Sequence, residues 1–152
     1  MQPRTAFALI IVLFTALACS TLTLKPADYA WPIENALKVD AKGNITEPRY
    51  SFTLNVKSLF FEEFKDSTNY IGKEIRIIRD KAGYYFITSK EFKSVYVFES
   101  IESGMRLESK ITISETKGLT SPAFNQKAPN IELLDAPSKY LLNPTGIMRQ
   151  QR

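Results

Sequence analysis

The chain has 152 residues, of which 44% are hydrophobic and 12% aromatic, enough for one packed domain and too many for a wholly disordered chain. Its formal net charge is +4, but the charges alternate in sign, as in Lys73-Glu74-Ile75-Arg76, which fits a solvated strand face and not a nucleic-acid groove. Histidine is absent and cysteine occurs once, which removes most routes to imidazole catalysis and to zinc or other transition-metal sites, and rules out an internal disulfide.

Arg4 and the free amine form a short positive region, followed by an uncharged apolar run from Ala6 to Phe14 and small residues at Ala16, Ala18, Cys19 and Ser20. This is the layout of an export signal. Ala16-Leu17-Ala18-Cys19 resembles the lipobox of bacterial lipoproteins, in which a small residue precedes the cysteine; Ala16 stands where that family favours leucine. The resemblance covers only these first residues. It implies cleavage after residue 18, lipidation of Cys19, and anchoring to a membrane through acyl chains, which hold stably when two or more are present. With Ser20 next, it also implies the outer membrane of a two-membrane envelope, facing the periplasm or the outer surface. Two other readings of the same residues remain. Ala16-Leu17-Ala18 also suits an ordinary signal peptidase and a secreted product. The uncharged stretch from Ala6 to Leu24 is just long enough for a transmembrane anchor.

Residues 19–35, with Pro26 and Pro32, read as a tether, and Trp31 is its one large anchor, expected at the domain edge or on a partner. Residues 36–117 read as the β-domain. Asp40, Gly43 and Asn44 suit a tight reversal between short strands. Tyr50, Phe52, Leu54 and Val56 alternate with polar residues, the mark of a half-buried strand. Leu59, Phe60 and Phe64 break the alternation and predict either a short helix or a bulged continuation of the strand; Gly72 ends the segment. Glu74–Arg79 and Tyr84–Thr88 form a hairpin about Asp80-Lys81-Ala82-Gly83. Val95-Tyr96-Val97-Phe98 is apolar on both faces, as a central strand would be. Met105, Leu107, Ile111 and Ile113 then alternate with Arg106, Glu108, Lys110 and Thr112. This register predicts Leu54, Val56, Leu107, Ile111 and Ile113 buried, and Lys57, Arg106 and Lys110 exposed.

Residues 118–152 carry Pro122, Pro129, Pro137 and Pro144 among apolar clumps. They read as an irregular, extended tail whose Ile131, Leu133, Leu134, Leu141, Leu142 and Ile147 lie on the domain or, the favoured reading, on a partner. The expected fold is mainly β, a small barrel or sandwich of five to seven strands, OB-like or SH3-like, with at most one helix.

Candidate chemistry is sparse. Ser114-Glu115-Thr116-Lys117 matches S-x-x-K, but the serine ends a strand and the companion motifs are missing. Asp40, Asn44 and Glu47 fail the spacing of a calcium loop. Glu62 and Glu63 would point opposite ways on a strand, a poor acid–base pair. Asn44-Ile45-Thr46 is a glycosylation sequon relevant only to a eukaryotic secretory pathway. Tyr84, Tyr85, Phe86, Tyr96 and Phe98, interleaved with Arg76, Arg79, Lys90 and Lys93, resemble the stacking face of an OB-type barrel, with Tyr84 and Tyr96 as ligand contacts; in an exported protein a glycan or peptide is the better ligand. The sequence therefore predicts no enzyme, no cofactor and no metal. The first expectation is a membrane-anchored lipoprotein acting as a structural or accessory subunit of a larger envelope assembly, with no nucleic-acid partner. A ligand-binding module is the second, and a histidine-free hydrolase a distant third.

Overall fold

In the computed structural model the described residues are 34–49, 51–66 and 68–151, with the side chains of 150 and 151 excepted. The signal-like segment, Cys19, most of the tether and Trp31 lie outside them.

The fold is mainly β, with eleven strands and one helix among the described residues. A five-stranded antiparallel sheet forms the middle layer, in the order β1 (Asn35–Lys38), β4 (Glu74–Arg79), β5 (Tyr85–Ser89), β6 (Ser94–Ile101), β7 (Gly104–Thr112). On one face lie the two-stranded β2–β3 ribbon (Asn44–Glu47 and Phe52–Asn55) and helix α1 (Lys57–Phe64). On the other lies a second antiparallel sheet, a meander of β8 (Ala123–Lys127), β9 (Asn130–Asp135), β10 (Ser138–Asn143) and β11 (Gly146–Gln151). No barrel closes, so of the two expected architectures this is the layered one.

The central sheet separates two cores because neighbouring strand residues point to opposite faces. Ile75, Ile77, Tyr85, Ile87 and Tyr96 meet Ile45, Val56, Leu59, Phe60 and Phe92 on the helix side. Ile78, Phe86, Val95, Val97 and Ile111 meet Phe124, Ile131, Leu133 and Leu142 of the meander on the other. β5 is buried along its whole length, and it lies at the middle of the sheet, with β6 beside it.

Residues 118–152 are where the structure corrects the sequence reading. They form four paired strands and not an irregular tail, which raises the count from the expected five to seven strands to eleven. The prolines punctuate the meander instead of breaking it. Pro129 and Pro137 follow cis peptide bonds in the two-residue turns at 128–129 and 136–137, and Pro144 sits in the third turn, where Asn143 Oδ1 accepts the N–H groups of Thr145 and Gly146. Turn positions need no ladder donor, so a proline there costs the sheet nothing. Gly118 leads into this sheet past the β5–β6 turn, so closely that a Cβ on it would lie 2.3 Å from the Glu91 carbonyl oxygen.

The β4–β5 hairpin forms as the turn residues require. Gly83 adopts φ +102°, and Asp80 donates its N–H to the Tyr84 carbonyl at 2.9 Å while its carboxylate accepts the Tyr84 N–H. Burial pushes the Asp80 carboxyl above its ordinary value, more than the N–H groups of Tyr84, Gly83 and Ala82 pull it down. A carboxyl raised in the folded state contributes stability below its unfolded pKa of about 3.8 and loses it as pH rises through the folded value. Asp80→Asn keeps an acceptor oxygen and removes the charge. Its melting temperature should therefore exceed the wild type's at neutral pH and match it below pH 3.8; thermal melts across that range would show the reverse order if the ionised carboxylate is the stabilising form.

The alternation in β7 holds only in halves. The β6–β7 register shifts by one residue: Phe98 is opposite Leu107, but Val97 is opposite Ser109. Glu108 is the extra residue of a bulge. Met105 therefore joins the helix-side core, while Ile111 and Ile113 belong to the meander side. Val56 and Ile111 are buried and Leu54 and Ile113 partly so, whereas Leu107 is left 49% exposed at the sheet margin, against expectation. Lys57, Arg106 and Lys110 are exposed, as expected.

Candidate functional site

The segment Lys57–Phe64 is a helix, so Glu62 and Glu63 do not point opposite ways as the strand reading had them. Successive helical residues are about 100° apart, and both carboxylates reach the same rim of the central sheet. Glu63 accepts the Lys93 N–H at 2.7 Å and the Tyr96 hydroxyl at 2.8 Å. Glu62 accepts from Lys110 at 3.0 Å and Lys65 at 3.1 Å, and these hydrogen bonds hold its carboxyl below the usual range. Burial, and then the bond to Glu63, push the Tyr96 phenol far above its ordinary value, so it stays a proton donor. Glu62, Glu63, Lys65 and Lys110, with Lys93, Ser114 and Glu115, line an open basin of about 230 Å³. Each of the two carboxylates is occupied by donors of the same chain, the arrangement of a strut between helix and sheet. Ser114 belongs to the basin wall, and its Oγ accepts the N–H groups of Thr116 and Lys117 and folds a local turn.

A second concavity is apolar. Leu54, Val56, Ser58 and Leu59 face Phe98 and Met105 across a groove of about 180 Å³ floored by Ile87. The groove lies between the ribbon–helix layer and the β6–β7 end of the central sheet. Leu107, paired with Phe98 on the edge strand β7, is exposed. A third, larger and polar hollow of about 430 Å³ lies between Lys73, Arg76, Lys90 and Ser121. Its cations are partly neutralised, Lys73 by Glu91 at 2.8 Å and Arg76 by Glu34 and Glu74, each at 2.8 Å.

The aromatic run of β5 and β6 does not assemble into one stacking face. Tyr85 and Tyr96 belong to the helix-side core, with Phe98 packed against it. Phe86 lies in the opposite core, and Tyr84 packs against that one. Of the two aromatic contacts picked from sequence, Tyr96 is 2% exposed and Tyr84 half-buried. Ile131, Leu133 and Leu142 are fully buried in the domain's own core, whereas Leu134 and Leu141 lie on the meander's outward face, half-buried. Cys19 and Trp31 are outside the described residues. The groove's residues were visible in the sequence only as ordinary core candidates, since nothing local signals where a covering layer stops. Among the described residues no cluster of three or more cysteine and acidic side chains is placed to hold a metal, and no helix is long and apolar enough to cross a membrane.

Comparison with known proteins adds no relative: no family model, no curated protein and no solved structure matches this chain.

Proposed function

We propose that this chain is an exported protein held at a membrane by lipid on Cys19, and that its β-domain is a non-enzymatic accessory subunit of an envelope protein assembly. The observation that carries the reading is the uncharged run ending in Ala16-Leu17-Ala18-Cys19, the chain's single cysteine, ahead of a folded domain whose first strand begins at Asn35. Anchoring through a thioether-linked lipid needs one thiol at that place and no other. The accessory role draws support from the apolar groove beside β7, an edge strand of the central sheet with Leu107 half-exposed at its margin.

Cys19→Ser should release the protein from the membrane fraction or block its processing. The wild-type chain, purified in mild detergent, should show the mass of a diacylglyceryl adduct on Cys19 and bring membrane proteins with it. A mutant still bound to the membrane at unchanged mass would replace the lipid by a helical anchor, and a wild type of unmodified mass found in the soluble fraction would leave a secreted protein.

The second reading, a module that binds a ligand on its own, is favoured by the same groove. Its lining of Leu54, Val56, Leu59, Ile87, Phe98 and Met105 suits the apolar side chain of a peptide better than the hydroxyls of a glycan. Binding of apolar peptides by the protein free of any partner, with Met105 methyl shifts, would favour it.

A further inference from the structure

We infer that the outward face of the β8–β11 sheet rests on an anionic membrane surface; this inference depends on the anchored reading above. One face of that sheet fills the core through Phe124, Ile131, Leu133 and Leu142. By alternation, the pairs Asn125–Glu132, Leu134–Lys139 and Leu141–Arg149 share the other face. There Lys127, Lys139 and Arg149 surround Leu141 in a shallow hollow of about 150 Å³ with Glu132 as its one acid. Glu132 lies 3.8 Å from Lys127. Lys139 and Arg149 form no ion pair with any described residue. The face thus carries a surplus of positive charge around two half-buried leucines, the composition that suits the headgroup layer of an anionic bilayer. This is unlike the basin beside α1, where each carboxylate is met by lysines or by donors of its own chain.

The entry point of the chain agrees. Glu34, the first described residue, is fixed to this sheet's edge: its Oε2 accepts the Phe124 N–H of β8 at 2.7 Å. From Cys19, the residues Ser20 to Ile33 span at most on the order of 50 Å. The sheet is about 15 Å across its four strands. An anchor attached at β8 therefore keeps this face within reach of the bilayer in which it is embedded.

The test uses the full-length lipidated protein in vesicles, with a polarity-sensitive fluorophore on Asn125→Cys, an exposed outward position of β8, and separately on Thr53→Cys, exposed on the opposite outer layer. With Cys19 alkylated, each variant offers one thiol. In vesicles of equal parts phosphatidylcholine and phosphatidylglycerol the label at 125 should report an apolar environment, and the label at 53 should stay aqueous. The shift should be absent in phosphatidylcholine alone and reversed by salt. It should also weaken by about fivefold in the docking equilibrium for each of Lys139→Gln and Arg149→Gln, neither of which contributes to the core. A protein that floats with both vesicle types while the label at 125 stays in water overturns the inference and leaves the anchor intact. A shift seen only in native membranes, and not in protein-free anionic vesicles, assigns the face to an acidic protein and overturns the lipid assignment. Failure to float with neutral vesicles overturns the anchor, and the docked face with it.

Discussion

A chain ending at Lys127 is expected not to fold. Removing residues 128–152 deletes β9, β10 and β11, and with them Ile131, Leu133 and Leu142, each fully buried. At about 1.5–3 kcal/mol for each large apolar side chain taken from water, the three together contribute roughly 5–9 kcal/mol. Their loss also bares Ile78, Phe86, Val95 and Val97 on the central sheet. A domain of this size is stable by only about 5–15 kcal/mol in total. The truncated chain should therefore show no cooperative thermal transition and little near-ultraviolet dichroism. A truncated protein melting cooperatively at the full-length temperature would mean that the meander is held by something other than this core.

The second large effect separates two residues four apart on one strand. Ile111→Ala should cost about 2–5 kcal/mol, because Ile111 is 5% exposed against Val95 and the meander. Leu107→Ala should cost less than about 1 kcal/mol, since half of that side chain is already in water. Unbroken alternation would bury both and make the two substitutions comparable. Denaturant unfolding of the pair therefore reads the bulge directly: similar losses would mean that Glu108 is paired and the register continuous.

The same strand shows how far the sequence could be read. Period-two alternation identified the strands themselves, because burial on one face leaves that trace in side-chain polarity. It could not show the bulge, since Met105, Leu107, Ile111 and Ile113 keep the same spacing whether they share a face or are divided between two. The β4–β5 hairpin was legible from Gly83 and Asp80, residues whose turn chemistry is local. The meander was not, because its prolines signal interruption equally well in a loose tail and in a series of tight turns. What settles the matter is a long-range fact, that Phe86 and Val97 present an apolar face needing cover, and no window of sequence contains it. The outward cations had the same difficulty: Lys127, Lys139 and Arg149 are scattered along the chain and become neighbours only when three turns bring their strands side by side. The proposal for Cys19 rests on its context of small and apolar residues alone, and the folded domain adds nothing to that argument.

Glu34 gives the molecule a mechanical property. One carboxylate oxygen is bound to Arg76 of the central sheet at 2.8 Å and the other to the Phe124 N–H of the outer sheet at 2.7 Å. Any pull on the chain ahead of it meets this clasp before it reaches β1, which is four residues long and paired on one side only. Load entering along the leading segment is thereby shared between two layers before it reaches this short edge strand.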